Sequence, residues 1–246
     1  MNVFNIPSVI WKRVNNKVYG LLGKDPLTKE KIYQVKTERI GTNYGGWVIP
    51  ANYLTKDSVC YCAGVGEDVS FDLGIIKKYV CKVYAFDPTP RAQEYIEKNV
   101  EPDPNFVFVD VGLWDEDTTM KFYSPKNPDH VSHSIVNLQK TDTYFEAKVK
   151  RLSTIMRELQ HDKLSLLKLD IEGAEYKVLD SLVDDKVDID ILCIEFDEGH
   201  TKMDNDYKSR IKGSLEKLFA MGYVMIDVDQ SCNYTLIKEN MLRELA

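Results

Sequence analysis

Cysteine is scarce and unmatched in this sequence. There are five, Cys60, Cys62, Cys81, Cys193 and Cys232, an odd number set mostly in apolar runs. That usage excludes a secreted disulfide framework and reads as reduced, buried thiols. Cys60-Tyr-Cys62 puts two sulfurs on one strand face. A structural zinc wants four ligands in CxxC-type pairs, and there is no second pair. No stretch approaches the ~18–20 apolar residues of a membrane span, and Met1–Arg13 lacks a basic segment leading into a long apolar run. The expected location is therefore cytoplasmic. Positive charge is in deficit, with 32 Lys and Arg against 39 Asp and Glu, a net −7. Counterion release at nucleic acid needs a positive surface, and no Lys/Arg stripe is visible, so a nucleic-acid partner is not expected. Internal repeats, low-complexity tracts and a Walker A sequence are all missing. What remains is an ordinary folded composition over 246 residues, 43% hydrophobic and 29% charged, which rules out a disordered chain.

Residues 1–50 read as an N-terminal extension. Pro7, Pro26 and Pro50 punctuate it, and a Gly45-Gly46-Trp47 turn feeds Val48-Ile49. Short helices and one strand are expected there, packed on a main domain over residues 51–246, with a homodimer as one use of an apolar face. From about Ser58 short apolar runs alternate with helical patterns. Strands are expected at Val59–Ala63, Lys82–Phe86, Asn105–Val111, Thr118–Tyr123, Leu164–Leu169 and Ile189–Phe196. Helices fall between them. Phe71, Ile75 and Tyr79 mark one helix by four-residue spacing, and Thr89-Pro90 supplies an N-cap with proline at the first helical position for another. Ser124–Asn137, with two prolines and two histidines, has no periodicity and reads as a functional-length loop. Two closing strands, Tyr223–Ile226 and Tyr234–Ile237, share a short connection and so pair antiparallel. Strand–helix alternation of this kind predicts one doubly wound α/β domain with a mostly parallel sheet.

Open parallel sheets bind ligands at the carboxyl ends of their strands. Here those ends are nearly all acidic: Gly64-Val-Gly66-Glu67-Asp68, Asp87, Asp110, Asp170-Ile-Glu172-Gly173 and Glu195-Phe-Asp197. Gly64-x-Gly66 follows a strand and opens a helix, and Asp87 lies 21 positions after Gly66 at the next strand end. An acid at about 20 residues' distance accepts hydrogen bonds from an adenosine ribose. The third glycine of a dinucleotide fingerprint is replaced by Val69, and Glu67 and Asp68 stand where a pyrophosphate would meet the helix N-terminus. Two carboxylates there repel a diphosphate and suit the ammonium and sulfonium of S-adenosylmethionine.

Five segments together resemble the FkbM family of S-adenosylmethionine-dependent methyltransferases. They are Gly64-Val-Gly66-Glu-Asp68-Val-Ser-Phe-Asp72, Ala85-Phe-Asp87-Pro-Thr-Pro-Arg91, Gly112-Leu-Trp114-Asp, His130-Val-Ser-His133-Ser-Ile135 and Lys168-Leu-Asp170-Ile-Glu172-Gly173-Ala-Glu175. The resemblance spans about residues 45–237, and its most specific run is Leu167–Tyr176. Many family members carry Asp-x-Gly-Ala-Asn-x-Gly at the first strand end, where this chain reads Tyr61-Cys-Ala-Gly64-Val-Gly66. The resemblance implies a Rossmann-like class I methyltransferase fold with a seven-stranded sheet. It also implies methyl transfer to oxygen on a sugar, polysaccharide or secondary metabolite, with Gly64, Gly66 and Asp87 holding the cofactor and Asp170–Glu172 beside the transfer site. Glu67, Asp68 and Asp110 join the candidate cofactor set.

A hydroxyl is a poor nucleophile near neutral pH, so a base or a metal should help remove its proton. Asp170 and Glu172 are the first candidates for base or metal ligand; the bland alternative has Glu172 capping the next helix and Asp170 bonding loop amides. Glu195 and His200 are second candidates. His130, His133 and Ser134 belong either to a lid over the acceptor or to a solvated loop, and Arg91 either reaches an acceptor anion or lies on a helix surface. Two other readings compete. An NAD-dependent oxidoreductase or epimerase would need a helical Tyr-x-x-x-Lys pair, which Tyr33-Gln-Val-Lys36 misses by one residue, and Tyr79 has no lysine at +4. A noncatalytic binding protein would not need intact acids at each strand end.

Overall fold

A computed structural model describes residues 21–25, 27–127, 132–199, 201–243 and 245. His130, His200 and residues 1–20 of the expected extension lie outside the described residues.

The strand–helix alternation becomes a seven-stranded sheet. Its members are β3 (Val59–Ala63), β4 (Lys82–Phe86), β5 (Phe106–Val109), β9 (Leu164–Leu169), β10 (Ile189–Glu195), β11 (Tyr223–Val228) and β12 (Asn233–Lys238). Their order across the sheet is β11-β12-β10-β9-β3-β4-β5. β5, β4, β3, β9 and β10 run parallel, and β12 inserts antiparallel beside β10 and pairs antiparallel with β11. The chain builds outward from β3 in one direction and from β9 in the other, so the topological switch point lies between β3 and β9.

Side chains alternate across this sheet, and the core divides accordingly. On one face Tyr61, Leu167, Leu169 and Leu192 pack with Val178 and Leu182 of α4 (Glu175–Asp184) and with Ile211 and Leu215 of α5 (Tyr207–Ala220). On the other face Cys60, Cys62, Leu166 and Cys193 pack with Phe71 and Ile75 of α1 (Ser70–Tyr79). Ile40, Trp47 and Ile49 join that second cluster. They come from a hairpin of β1 (Thr37–Ile40) and β2 (Trp47–Pro50), so this stretch holds two antiparallel strands where one was expected. All five cysteines are unbridged, and four are buried.

α2 (Pro90–Asn99) starts as its sequence dictates. Thr89 accepts a hydrogen bond from the Ala92 amide, and Pro90 sits at the first helical position, where no N–H partner is needed. The third expected strand is shorter than predicted, Phe106–Val109, because Val111 turns its amide back to the Val109 carbonyl at 2.8 Å. Thr118–Tyr123, β7, does not enter the main sheet. It pairs antiparallel with β8 (Tyr144–Lys150), a strand the sequence reading left out, and β6 (Gly112–Leu113) completes a separate three-stranded sheet. α3 (Leu152–Glu158) follows β8 and leads into β9.

Candidate functional site

The switch point opens into a cavity built from the β3 and β9 strand ends, the β4–α2 turn, the β1–β2 hairpin tip and the segment before Ile135. Its floor is held by backbone contact. Gly64 has φ +87°, and a Cβ there would stand 1.7 Å from the Asp170 carbonyl oxygen. Only glycine permits that approach and that dihedral. The Asp170 amide in turn donates to the Ala63 carbonyl at 3.2 Å.

Gly64, Gly66, Glu67, Asp68, Asp87, Asp170, Glu172 and His133 of the sequence-derived set all line this cavity. Asp87 does more than face it. One carboxylate oxygen accepts from the Val65 and Gly66 amides, each at 3.0 Å, and the other from the Thr89 amide at 2.8 Å and hydroxyl at 2.6 Å. Both oxygens are engaged twice, so Asp87 shapes the glycine loop itself, a job the ribose expectation had not assigned it. Asp68 accepts from the Ser70 amide at 2.8 Å and the Thr42 hydroxyl at 2.6 Å. Burial alone would push its carboxyl up, but those hydrogen bonds outweigh it and hold it below the usual carboxylate range. Glu67 pairs with the Arg91 guanidinium at 2.7 Å, so Arg91 bonds a protein carboxylate beside the cavity and is not among the lining residues.

The other residues are placed differently. Asp110 is exposed after the end of β5 and does not line the cavity. Ser134 is buried, and its hydroxyl donates to the Glu172 carbonyl at 2.6 Å while its backbone pairs with Tyr123, a loop-fixing role. Glu195 lies next to the lining, at the end of β10, where burial and then the nearby Asp170 charge push its carboxyl up to about 8.

The Asp170–Glu175 turn is shaped by acids that the sequence did not single out for it. Glu172 holds φ +54°, an uncommon conformation for a non-glycine residue. The fully buried Glu175, rather than Glu172, reaches back to cap the turn by accepting from the Ile171 amide at 2.8 Å. Asp197 accepts from the Gly173 amide at 3.1 Å. Burial pushes Glu175 up to about 8, against the pull of its backbone hydrogen bonds, and raises Asp197 well above the carboxylate range with Glu175 adding to it. Burial also raises Glu172, with Asp170 adding and a Ser132 hydrogen bond opposing.

Tyr44, Gly45 and Lys168 line the cavity without being among the site residues expected from the sequence. Tyr44 and Gly45 come from the hairpin tip, and Tyr44 is 84% exposed at the mouth. Lys168 lay inside an apolar run read as a buried strand, yet a lysine within such a run was itself a signal. Tyr144 and Lys148 have the oxidoreductase spacing, but they lie on strand β8, where residues four apart stand about 13 Å from each other. Among the described residues, no group of three or more His, Cys, Asp or Glu is arranged to hold a metal ion, and no helix is long and apolar enough to cross a membrane.

The cavity therefore offers five carboxylates and one lysine, over a glycine cradle that a Cβ would fill. That donor set fits a nucleoside ligand carrying positive charge better than a diphosphate.

The model of the methyltransferase FkbM domain matches residues 58–234. The probable methyltransferase-like protein 24 of Rattus norvegicus is 27% identical over 130 residues, covering 52% of this chain and 29% of its own length. Its Homo sapiens counterpart is 27% identical over 129 residues with the same coverage. The chain thus spans about 29% of the length of the curated relatives it matches. Among solved structures, the Methanococcus jannaschii fibrillarin pre-rRNA processing protein aligns with 88% of this chain and 87% of its own, at 15% identity and a TM-score of 0.47.

Proposed function

The chain belongs to the FkbM methyltransferase family, and from that premise we propose that it binds S-adenosylmethionine at the switch point and methylates a hydroxyl of a small-molecule or glycan acceptor. The observation that carries this is the carboxylate-lined cavity over the Gly64–Gly66 loop. S-adenosylmethionine supplies, when bound, a methyl group on an electron-poor sulfonium. Everything else falls to the protein: holding, aligning, drying the site and managing one proton.

Gly64, Val65 and Gly66, held by Asp87, form the cradle, and Glu67 and Asp68 give it negative charge. Glu172 is the base in this reading. It is half-buried in the cavity wall, and a carboxylate raised above its usual range is a better proton acceptor than a free one. A Glu172 carboxylate oxygen takes the acceptor hydroxyl's proton, with Asp170 orienting the hydroxyl. Glu195, behind Asp170, holds its proton near neutral pH and does not touch the acceptor. Tyr44 and His133 flank the mouth and face the acceptor, an aromatic wall suited to a sugar ring or other flat apolar face. Division into an accessory segment over residues 1–50 and a catalytic domain over 51–246 belongs to the same proposal. The family match starting at residue 58 supports it, and the hairpin's contribution of Tyr44 and Gly45 gives the segment a role in the site. The unbridged cysteines support a reducing, cytoplasmic setting.

Thermal unfolding with S-adenosylmethionine, S-adenosylhomocysteine or NAD tests the reading. Ligand at about 100 times its dissociation constant adds roughly 2.7 kcal/mol. A rise in Tm with both adenosyl-sulfur compounds is expected. A rise with NAD alone would replace the methyltransferase reading by an oxidoreductase, and no rise with any would favour a noncatalytic binding protein.

A further inference from the structure

Lys168 stands at the centre of the sheet in a place where a lysine is costly. Its side chain is 4% exposed. Taking an ammonium out of water costs several kcal/mol unless the charge is paired and hydrogen-bonded. The residues around it make room. Lys168 is in register with Cys62 on β3 and Cys193 on β10, and the row continues outward to Ala85 and Thr235. Four small side chains thus flank the lysine in its row of the sheet, and its ammonium reaches the strand ends.

Its ammonium emerges at the crevice with two partners. Nζ donates to the Gly64 carbonyl at 2.7 Å and lies 3.3 Å from Asp170 Oδ2. Gly64 closes β3 on the cofactor side, and Asp170 closes β9 on the acceptor side. We propose that Lys168 is a positioning residue that couples the two halves of the site, fixing the Gly64 turn and the Asp170 carboxylate through one buried charge. The inference rests on the reading that this cavity takes the adenosyl cofactor.

Asp72, 3% exposed on α1, is the other carboxylate near it. Among the described residues, one Asp72 oxygen has no hydrogen-bond partner and the Lys168 ion pair is with Asp170, so neutralising Asp72 does not account for where Nζ sits. Burial opposes the charge on Lys168, but Asp170 first and then Asp72 outweigh it, so the ammonium stays protonated well above the usual lysine range.

The test is a double-mutant cycle on S-adenosylhomocysteine affinity, measured by calorimetry on the full chain, with Tm recorded in parallel. Lys168→Met is expected to weaken binding tenfold or more in the native background and threefold or less in an Asp170→Asn background. Equal weakening in both backgrounds, or a dissociation constant within threefold of the native one, would overturn the proposal, and a fall in Tm alone would mark Lys168 as structural. If Lys168→Met does not fold, Lys168→Gln takes its place under the same criteria; failure of both to fold also assigns a structural role. Absence of S-adenosylhomocysteine binding by the native protein sinks the parent reading, and is seen before any variant is made.

Discussion

Two groups of carboxylates face each other across the crevice, and the protein treats them in opposite ways. On the β3–β4 side every acid has donors: Asp87 four, Asp68 two, and Glu67 the Arg91 guanidinium. On the β9–β10 side Glu172, Glu175, Glu195 and Asp197 crowd together, largely buried, and all are pushed upward. Among the described residues, one buried Glu175 oxygen has no hydrogen-bond partner. Residue type is the same on both sides; one side is tied down by hydrogen bonds, while burial and crowding of like charge dominate the other. Saturated acids make a rigid frame, as a cradle needs. Crowded acids away from water are pushed up from the usual carboxylate range, as proton transfer needs. The contrast divides the labour of one cavity between holding and chemistry.

The most damaging way to break this arrangement is at the seam between its halves. Gly64→Ala would drive a Cβ into the Asp170 carbonyl and force a left-handed dihedral on a residue that resists it. A loss of about 3 kcal/mol or more is expected by urea unfolding, together with loss of S-adenosylhomocysteine binding. A loss under about 1 kcal/mol would show that the two strand ends separate without cost.

Asp87→Ala removes the acceptor for the Val65, Gly66 and Thr89 amides on the framed side. Leaving buried amides unpaired costs about 1–3 kcal/mol each before water and relaxation recover part of it. A net loss of about 2–4 kcal/mol is expected, and Asp87→Asn, which keeps one carbonyl oxygen, should lose roughly half as much. Equal losses in the two variants would mean that charge, rather than amide pairing, is what the loop requires.

The crowded, buried side predicts a pH dependence of opposite sign to the usual acid effect. Glu175 and Glu195 titrate near 8 in the folded protein, far above an unfolded glutamate at about 4.3. Between those values the unfolded chain has released protons that the folded one retains, so stability falls as pH rises and levels off above about 8. Glu175→Gln should be close to native at pH 5 and gain on the native protein at higher pH, by on the order of 1 kcal/mol per pH unit. Urea midpoints at pH 5, 6.5 and 8 check this. A gap that does not widen would mean that Glu175 is ionised in the fold.

How much of this could be read beforehand follows the same division. Thr89-Pro90, the Gly64-x-Gly66 turn and the closing hairpin are local signals, and each appears where the sequence puts it. β8 was legible in principle, since Phe145, Ala147 and Val149 alternate with exposed residues, but charged partners hid a half-buried strand. The acids at the strand ends were visible as a group. Their fates were not, because donors arrive from distant sequence: Thr42 reaches Asp68, and the Asp197 acid meets the Gly173 amide, 24 positions earlier. Lys168 illustrates the same limit. Its partners, Gly64 and Asp170, lie on different strands, and only the parallel register of β3 with β9 brings them to one atom.

The smallest expected effect sharpens the comparison at its edge. Arg91 holds Glu67 on the rim of the framed side, where the two side chains are 36% and 44% exposed. Water screens such a pair, so its contribution to stability is on the order of 0.5 kcal/mol. If the frame depends on saturated acids, Arg91→Ala frees one carboxylate at the helix entrance, a place where added negative charge still suits a sulfonium ligand. S-adenosylhomocysteine and S-adenosylmethionine should then separate: affinity for the cationic compound holds or rises up to about twofold, while that for the uncharged thioether stays level. Calorimetry on both ligands reads the difference. A marked loss for both would instead assign Arg91 to the cofactor's carboxylate, a partner other than the acceptor anion expected from the sequence.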